Sequence, residues 1–184
     1  FFPYSTAIVA VAQVWSMMFD AKSGIINQFL GLFTNNPPGW LSDTHWAMVA
    51  VIIVGTWREV GYFMILLLAG LQTIPSELYE AAEVDGATST QVFWQITMPL
   101  LRPIMVYVLV TSLIGGLQMF DVPQILTNGT GQPTQTTMTL IMYLNKHLFS
   151  KNYGMGGALS VVMFIITGIL SLIVFKAFAQ KKEA

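Results

Sequence analysis

Residues 73–99, TIPSELYEAAEVDGATSTQVFWQITMP, form a polar window with four carboxylates, Glu77, Glu80, Glu83 and Asp85, between two long apolar stretches. A loop joining two membrane helices has this pattern. Charged residues are only 9% of the 184-residue chain, against about 25% in an ordinary soluble domain, while hydrophobic residues reach 54%. With a mean hydropathy of +0.64, most of the surface has lipid as its solvent.

Working outward, four segments are long and apolar enough to cross a hydrocarbon core, which takes about 20 helical residues. They run from Phe1 to Phe19, Trp46 to Ile74, Met98 to Phe120, and Tyr153 to Phe175. Helices are the expected form, because a lone strand in lipid leaves backbone groups unpaired and nothing here alternates with a strand period. The fold class expected is therefore all-α, a multi-pass transmembrane bundle. No repeat or low-complexity linker divides it, so residues 1–184 read as a single membrane domain with 73–99 as a loop inside it. The chain opens on Phe1 without a basic leader or small-residue cleavage site, which reads as a cut through a longer protein.

Composition also removes whole classes of function. A net charge of −1 gives no basic field for nucleic acid, and no basic and aromatic residues interleave as they do where bases stack. Without cysteine there is no thiolate nucleophile or sulfur metal site, and His45 and His147 stand too far apart to show a metal-ligand pattern. No Gly-x4-Gly-Lys-Ser/Thr phosphate loop occurs, so no nucleotide cofactor is expected on this chain.

Within the window the local signals predict two short helices meeting at a glycine. Ser76 is the expected cap of the first, with Glu77 and Glu80 in its early turns, where the helix dipole favours anions. Gly86 supplies a residue able to take positive φ and admits a close backbone approach. Thr88 and Gln91 have capping-box spacing for a second helix running through Phe93, Trp94 and Ile96 toward Pro99. On the first helix, Ala81 and Ala82 are small enough to settle into a groove, flanked by carboxylates that suit basic or amide donors.

Glu80-Ala81-Ala82, Gly86, Ile96 and Pro99 resemble the EAA loop, Glu-Ala-Ala-x3-Gly-x9-Ile-x-Leu-Pro, of ATP-binding-cassette importer permeases. Six specified positions at typical usages match by chance at on the order of 10⁻⁷ per starting point. Met98 stands where that family usually has Leu, a swap of similar volume. Further landmarks resemble the carbohydrate importer permeases, the group that includes the maltose permease. Among them are Pro3-Tyr4, Gly24-Ile25-Ile26-Asn27, Trp57, Leu68-Ala69-Gly70-Leu71-Gln72, Val84-Asp85-Gly86-Ala87 and Phe120-Asp121. One outward loop departs: the family's Thr-x-Gly-Gly-Pro is here Thr127-Asn128-Gly129-Thr130-Gly131-Gln132-Pro133.

The resemblance implies a permease subunit that forms half of an importer's translocation path for a sugar delivered by an external binding protein. It implies a pair of ATPase subunits and a second permease subunit as partners, with hydrolysis on the former and no enzymatic activity here. Four helices of a six-helix core are expected, the first two being absent. Glu80, Ala81, Ala82, Asp85, Gly86, Ile96 and Pro99 become the ATPase-coupling residues, on a cytoplasmic loop of a bacterial-type inner-membrane protein. Positive charge agrees weakly with that orientation: Arg102, Lys176, Lys181 and Lys182 fall on the loop's side, and Lys22, Lys146 and Lys151 on the other.

Arg58 and Glu59 interrupt an apolar helix, where a charge at the bilayer centre costs about 2.5–3.5 kcal/mol on insertion scales. Two readings stand side by side. They are a buried ion pair at an internal interface, or, with Tyr62 one turn on, they line the translocation path. Tyr4, Tyr62 and Ser112 match positions near the sugar site in the maltose-type permeases, and Gln118 follows on the outward side. Rival readings are an ion-coupled secondary transporter using Arg58 and Glu59, and a membrane enzyme with Glu59 or Asp121 as acid or base. The second lacks any accompanying nucleophile, orienting group or metal cluster.

Overall fold

The computed structural model describes residues 1–178 and is helical throughout its regular structure. Helices α1 (Phe2–Ser5), α2 (Ile8–Met18), α3 (Ile25–Leu30) and α4 (Thr44–Gln72) lead into the polar window. There α5 (Ser76–Val84) and α6 (Ser89–Val92) are followed by a π turn (Phe93–Thr97). Helices α7 (Met98–Leu117), α8 (Asp121–Leu126), α9 (Leu140–Phe149) and α10 (Tyr153–Phe178) complete the described chain. The expected positions Lys181 and Lys182 lie outside the described residues.

Three helices are long and apolar enough to cross a membrane among the described residues: α4, the continuous helical run that includes α7, and α10. The first apolar segment differs from its expectation. Pro3 opens α1, Thr6 is extended at φ −82° and ψ 150°, and the 11-residue α2 that follows reaches only about 16 Å at 1.5 Å per residue. A hydrocarbon core is about 30 Å thick, so this segment is a broken helix. The third segment begins earlier than expected, because α6 and the π turn run into α7 without a break.

Two compact units divide the chain. The first comprises Phe1–Gly61 and Gly115–Ile165. Its core packs Val11 of α2 and Phe19 against Ala50, Val51 and Val54 of α4 and Val122 and Leu126 of α8. Phe19 and Trp40 meet at a tilt of 39° with ring centres 5.2 Å apart, and Trp40 meets Trp46 edge-on at 5.1 Å. The connection between α2 and α4 is pinned by buried Asn27, which accepts from Trp40 Nε1 at 2.8 Å and donates to the Ala21 and Pro38 carbonyls. Burying that amide is tolerated because its polar atoms are engaged. Helix α3 leaves Ile25 and Phe29 exposed. In α9 the buried residues are Met142 and Leu144.

The second unit comprises Tyr62–Ile114 and Ile166–Ala184, described to Phe178. A close helix crossing anchors it: a Cβ on Gly70 of α4 would lie 2.4 Å from Ile104 Cδ1 and 2.9 Å from Leu101 Cδ2 of α7. A larger residue there would have to displace the ends of those two side chains. Arg102 Nη2 donates to the Ala177 carbonyl at 3.4 Å, placing a cation at the C-terminal end of α10, where the helix dipole favours one. The span-length window of α10 buries none of its residues in this chain, so its apolar surface is left for lipid or for other helices.

Candidate functional site

The polar window folds as a knuckle in the second unit. Pro75, extended at φ −60° and ψ 134°, occupies the N-cap of α5 and no side chain caps the helix. Ser76 is therefore the first helical residue, not the expected cap. The helix ends in a Schellman motif. Gly86 takes φ +73°, its N–H reaches the Glu83 carbonyl at 3.0 Å, and the Ala87 N–H reaches the Ala82 carbonyl at 2.9 Å. These bonds satisfy carbonyls that the last turn would otherwise orphan. A Cβ on Gly86 would meet nothing within 4 Å, so the glycine is required by its backbone angle, and open space surrounds it.

One residue later the chain turns again. Thr88 forms the expected capping box, its N–H donating to Gln91 Oε1 at 2.8 Å while its hydroxyl accepts from the Gln91 N–H at 3.4 Å. A helix end and a helix start thus stand with only Gly86 and Ala87 between Asp85 and Thr88. That compactness fixes the knuckle's tip.

The two motif alanines point in different directions. Ala82 is buried inside the knuckle, whereas Ala81 is exposed, in line with exposed Leu78 and Val84 at three-residue spacing. Only Ala81 remains free to meet a partner. Glu80, Asp85 and Pro99 are exposed and Ile96 is half-buried. Residues 73–99 contain no Lys, Arg or His, and the salt bridge found among the described residues, Arg58 with Glu59, lies elsewhere. Among the described residues the carboxylates of the window have no salt-bridge partner.

Sequence reasoning missed Tyr79 and Thr97, which hold the knuckle closed. Their hydroxyl oxygens lie 3.2 Å apart, joining α5 to the π turn, and Thr97 is buried. A usable signal existed in the spacing, since Tyr79 precedes buried Ala82 by three positions and shares its face. The π turn itself sits before Pro99, which has no N–H to offer the Gln95 carbonyl and would crowd it in a regular helix. Widening the turn accommodates the ring. Between α5 and α6 opens a cleft of about 490 Å³ lined by Tyr79, Glu83, Ser89, Val92, Phe93 and Thr97, with Ala87 at its turn.

The residues expected along a substrate path are partly gathered. In the first unit Arg58 Nη1 pairs with Glu59 Oε1, and the Arg58 guanidinium sits 5.1 Å from the centre of the Tyr4 ring, within cation–π range. Tyr62 lies in the second unit with its ring 5.4 Å from that of Phe63. Ser112, in the same unit, donates to the Leu109 carbonyl of its own helix at 3.1 Å. Gln118 is exposed just beyond α7, in the first unit.

Residues 1–183 match the family described as the binding-protein-dependent transport system inner membrane component. The chain is 36% identical over 185 residues to the lactose transport system permease protein LacF of Rhizobium radiobacter, covering 99% of this chain and 62% of that protein. It is 32% identical over 174 residues to the trehalose/maltose transport system permease protein MalF of Thermococcus litoralis, covering 95% and 58%. Its fold superposes, at a TM-score of 0.84 and 25% identity, on a crystal structure of a bacterial ABC transporter involved in the import of the acidic polysaccharide alginate, covering 99% of this chain and 64% of that one. The chain spans less than two thirds of the length of these relatives.

Proposed function

This chain belongs to the binding-protein-dependent transport system inner membrane component family, and we propose that its full-length protein forms half of the translocation path of an ATP-binding-cassette sugar importer. The single observation that carries the proposal is the knuckle: Glu80, Ala81 and Gly86 at the family's spacing, on a helix closed by a Schellman glycine at φ +73°. Such a rigid tip, exposed and negatively charged, suits docking onto an ATPase subunit. The knuckle faces the cytoplasm, a second permease subunit supplies the other half of the path, and an external binding protein delivers the sugar. Relatives with lactose and trehalose/maltose in their names support a saccharide, and an alginate importer of like fold has been crystallised with a pentasaccharide-bound periplasmic protein. ATP is hydrolysed on the partner, and this subunit transports without catalysing a reaction.

The ion-coupled alternative is less well supported, because Glu59, its carboxylate for ion exchange, is engaged by Arg58. Uptake by the full-length protein in proteoliposomes, with its ATPase, second permease subunit and binding protein, tests the reading. Sugar uptake is expected only with ATP inside the ATPase-bearing complex. Uptake that survives removal of the ATPase and collapses with an ion gradient would overturn it.

A further inference from the structure

The cleft between α5 and α6 is not among the motif positions that suggest docking. Its walls combine an apolar surface from Val92 and Phe93 with hydroxyls from Tyr79, Ser89 and Thr97 and one carboxylate, Glu83. Glu83 forms no salt bridge among the described residues, and no cation occurs anywhere in residues 73–99 to supply one. Aliphatic and aromatic walls with a carboxylate and hydroxyl acceptors match a long cationic side chain, whose stem packs on carbon while its head seeks oxygen.

We propose that this cleft receives an arginine or lysine side chain of the ATPase subunit, as a second anchor beside the contact made by Glu80 and the knuckle tip. The proposal rests on the docking role given to the loop above. It commits to the ATPase because the cleft lies within the same 27-residue window as Glu80 and Gly86, opening beside the proposed docking helix. The occupant's stem lies along Phe93 and its head meets Glu83. Because Phe93 and Thr97 belong to the π turn, the occupant touches the segment that continues directly into α7.

The test uses the full-length permease assembled with its ATPase and second permease subunit. Glu83→Arg is expected to lower co-purified ATPase at least tenfold, Glu83→Gln about threefold, with membrane insertion unchanged for both. A photo-crosslinking p-benzoylphenylalanine placed at position 89 is expected to form its adduct on the ATPase, beside an Arg or Lys. Reversing that cation to Glu is expected to restore binding to Glu83→Arg. Gly86→Leu serves as the reference variant. If Gly86→Leu loses the ATPase while Glu83→Arg retains it and position 89 gives no ATPase adduct, the cleft proposal fails and the docking role stands. If Gly86→Leu also retains the ATPase, the docking role itself fails and takes the cleft with it. An adduct confined to lipid or to the second permease subunit equally overturns the assignment.

Discussion

The hydroxyl of Tyr79 on α5 lies 3.2 Å from that of Thr97, in the π turn that opens into α7. One hydrogen bond therefore ties the helix bearing Glu80 and Ala81 to the base of a span-length helix. Such a bond contributes about 0.5–1.5 kcal/mol net. Tyr79→Phe is expected to lower sugar transported per ATP hydrolysed severalfold in the complexes that do assemble, since motion of α5 is then transmitted loosely. Parallel measurement of uptake and hydrolysis in proteoliposomes checks this, and an unchanged ratio would refute it.

Gly86 is held at φ +73° with nothing near its Cα that a side chain would strike. Replacement therefore acts through the backbone and the surface it presents. An L-residue in the left-handed region costs roughly 1–2 kcal/mol, about a tenfold shift in equilibrium. Gly86→Leu is expected to lose ATPase co-purification and transport while inserting normally. Gly86→Asn, which tolerates positive φ better, is expected to fall between the two.

Arg58 and Glu59 neutralise one another within α4, and Arg58 also faces the Tyr4 ring. Removing one partner strands a charge in an apolar helix; removing both does not. Arg58→Ala is accordingly expected to reduce membrane yield and detergent stability more than the double change Arg58→Ala with Glu59→Ala. A thermal-stability series on the four combinations decides the point. A double variant worse than either single would show that each residue has a separate partner.

For the substrate path, the expectation is that Tyr62→Ala lowers sugar uptake or shifts sugar preference without disturbing ATPase binding. The chain has no native cysteine, so Tyr62→Cys and Ser112→Cys can each be tested for labelling with a water-soluble maleimide. Sugar and nucleotide should change both labelling rates. Two positions closed to the reagent in every state of an active complex would remove them from the path.

Asp20, in the connection after α2, accepts the Ser23 amide and hydroxyl at 2.8 and 2.7 Å and the Lys22 amide at 3.0 Å. Hydrogen bonds from Ser23 lead in holding its carboxyl below the usual carboxylate range. Because the folded value lies below the unfolded one, near 3.9, the turn's stabilisation is present above that value and is lost as pH falls through the folded one. Hydrogen exchange at the Lys22 and Ser23 amides is expected to lose its protection on acidification. In Asp20→Asn that pH dependence should vanish.

Much of this protein follows from local sequence alone. Stretches such as Trp46 to Ile74 and Tyr153 to Phe175 are apolar over more than the length of a bilayer core, so their helices form by the need to pair backbone groups wherever the chain is placed. Gly86, Thr88 and Gln91 likewise dictate their turn, because a Schellman glycine and a capping box are closed by neighbours within a few residues. Composition failed for Phe1 to Phe19, since hydrophobicity counts side chains, and the break at Thr6 is a matter of backbone angle. What only the tertiary structure decided involves residues far apart in sequence. It turned Ala82 inward and Ala81 outward, set Tyr79 on Thr97 across 18 positions, joined Asn27 to Trp40 across 13, and brought Arg58 to Tyr4. No local pattern encodes such pairings, because each depends on where the packing of other helices carries the two side chains.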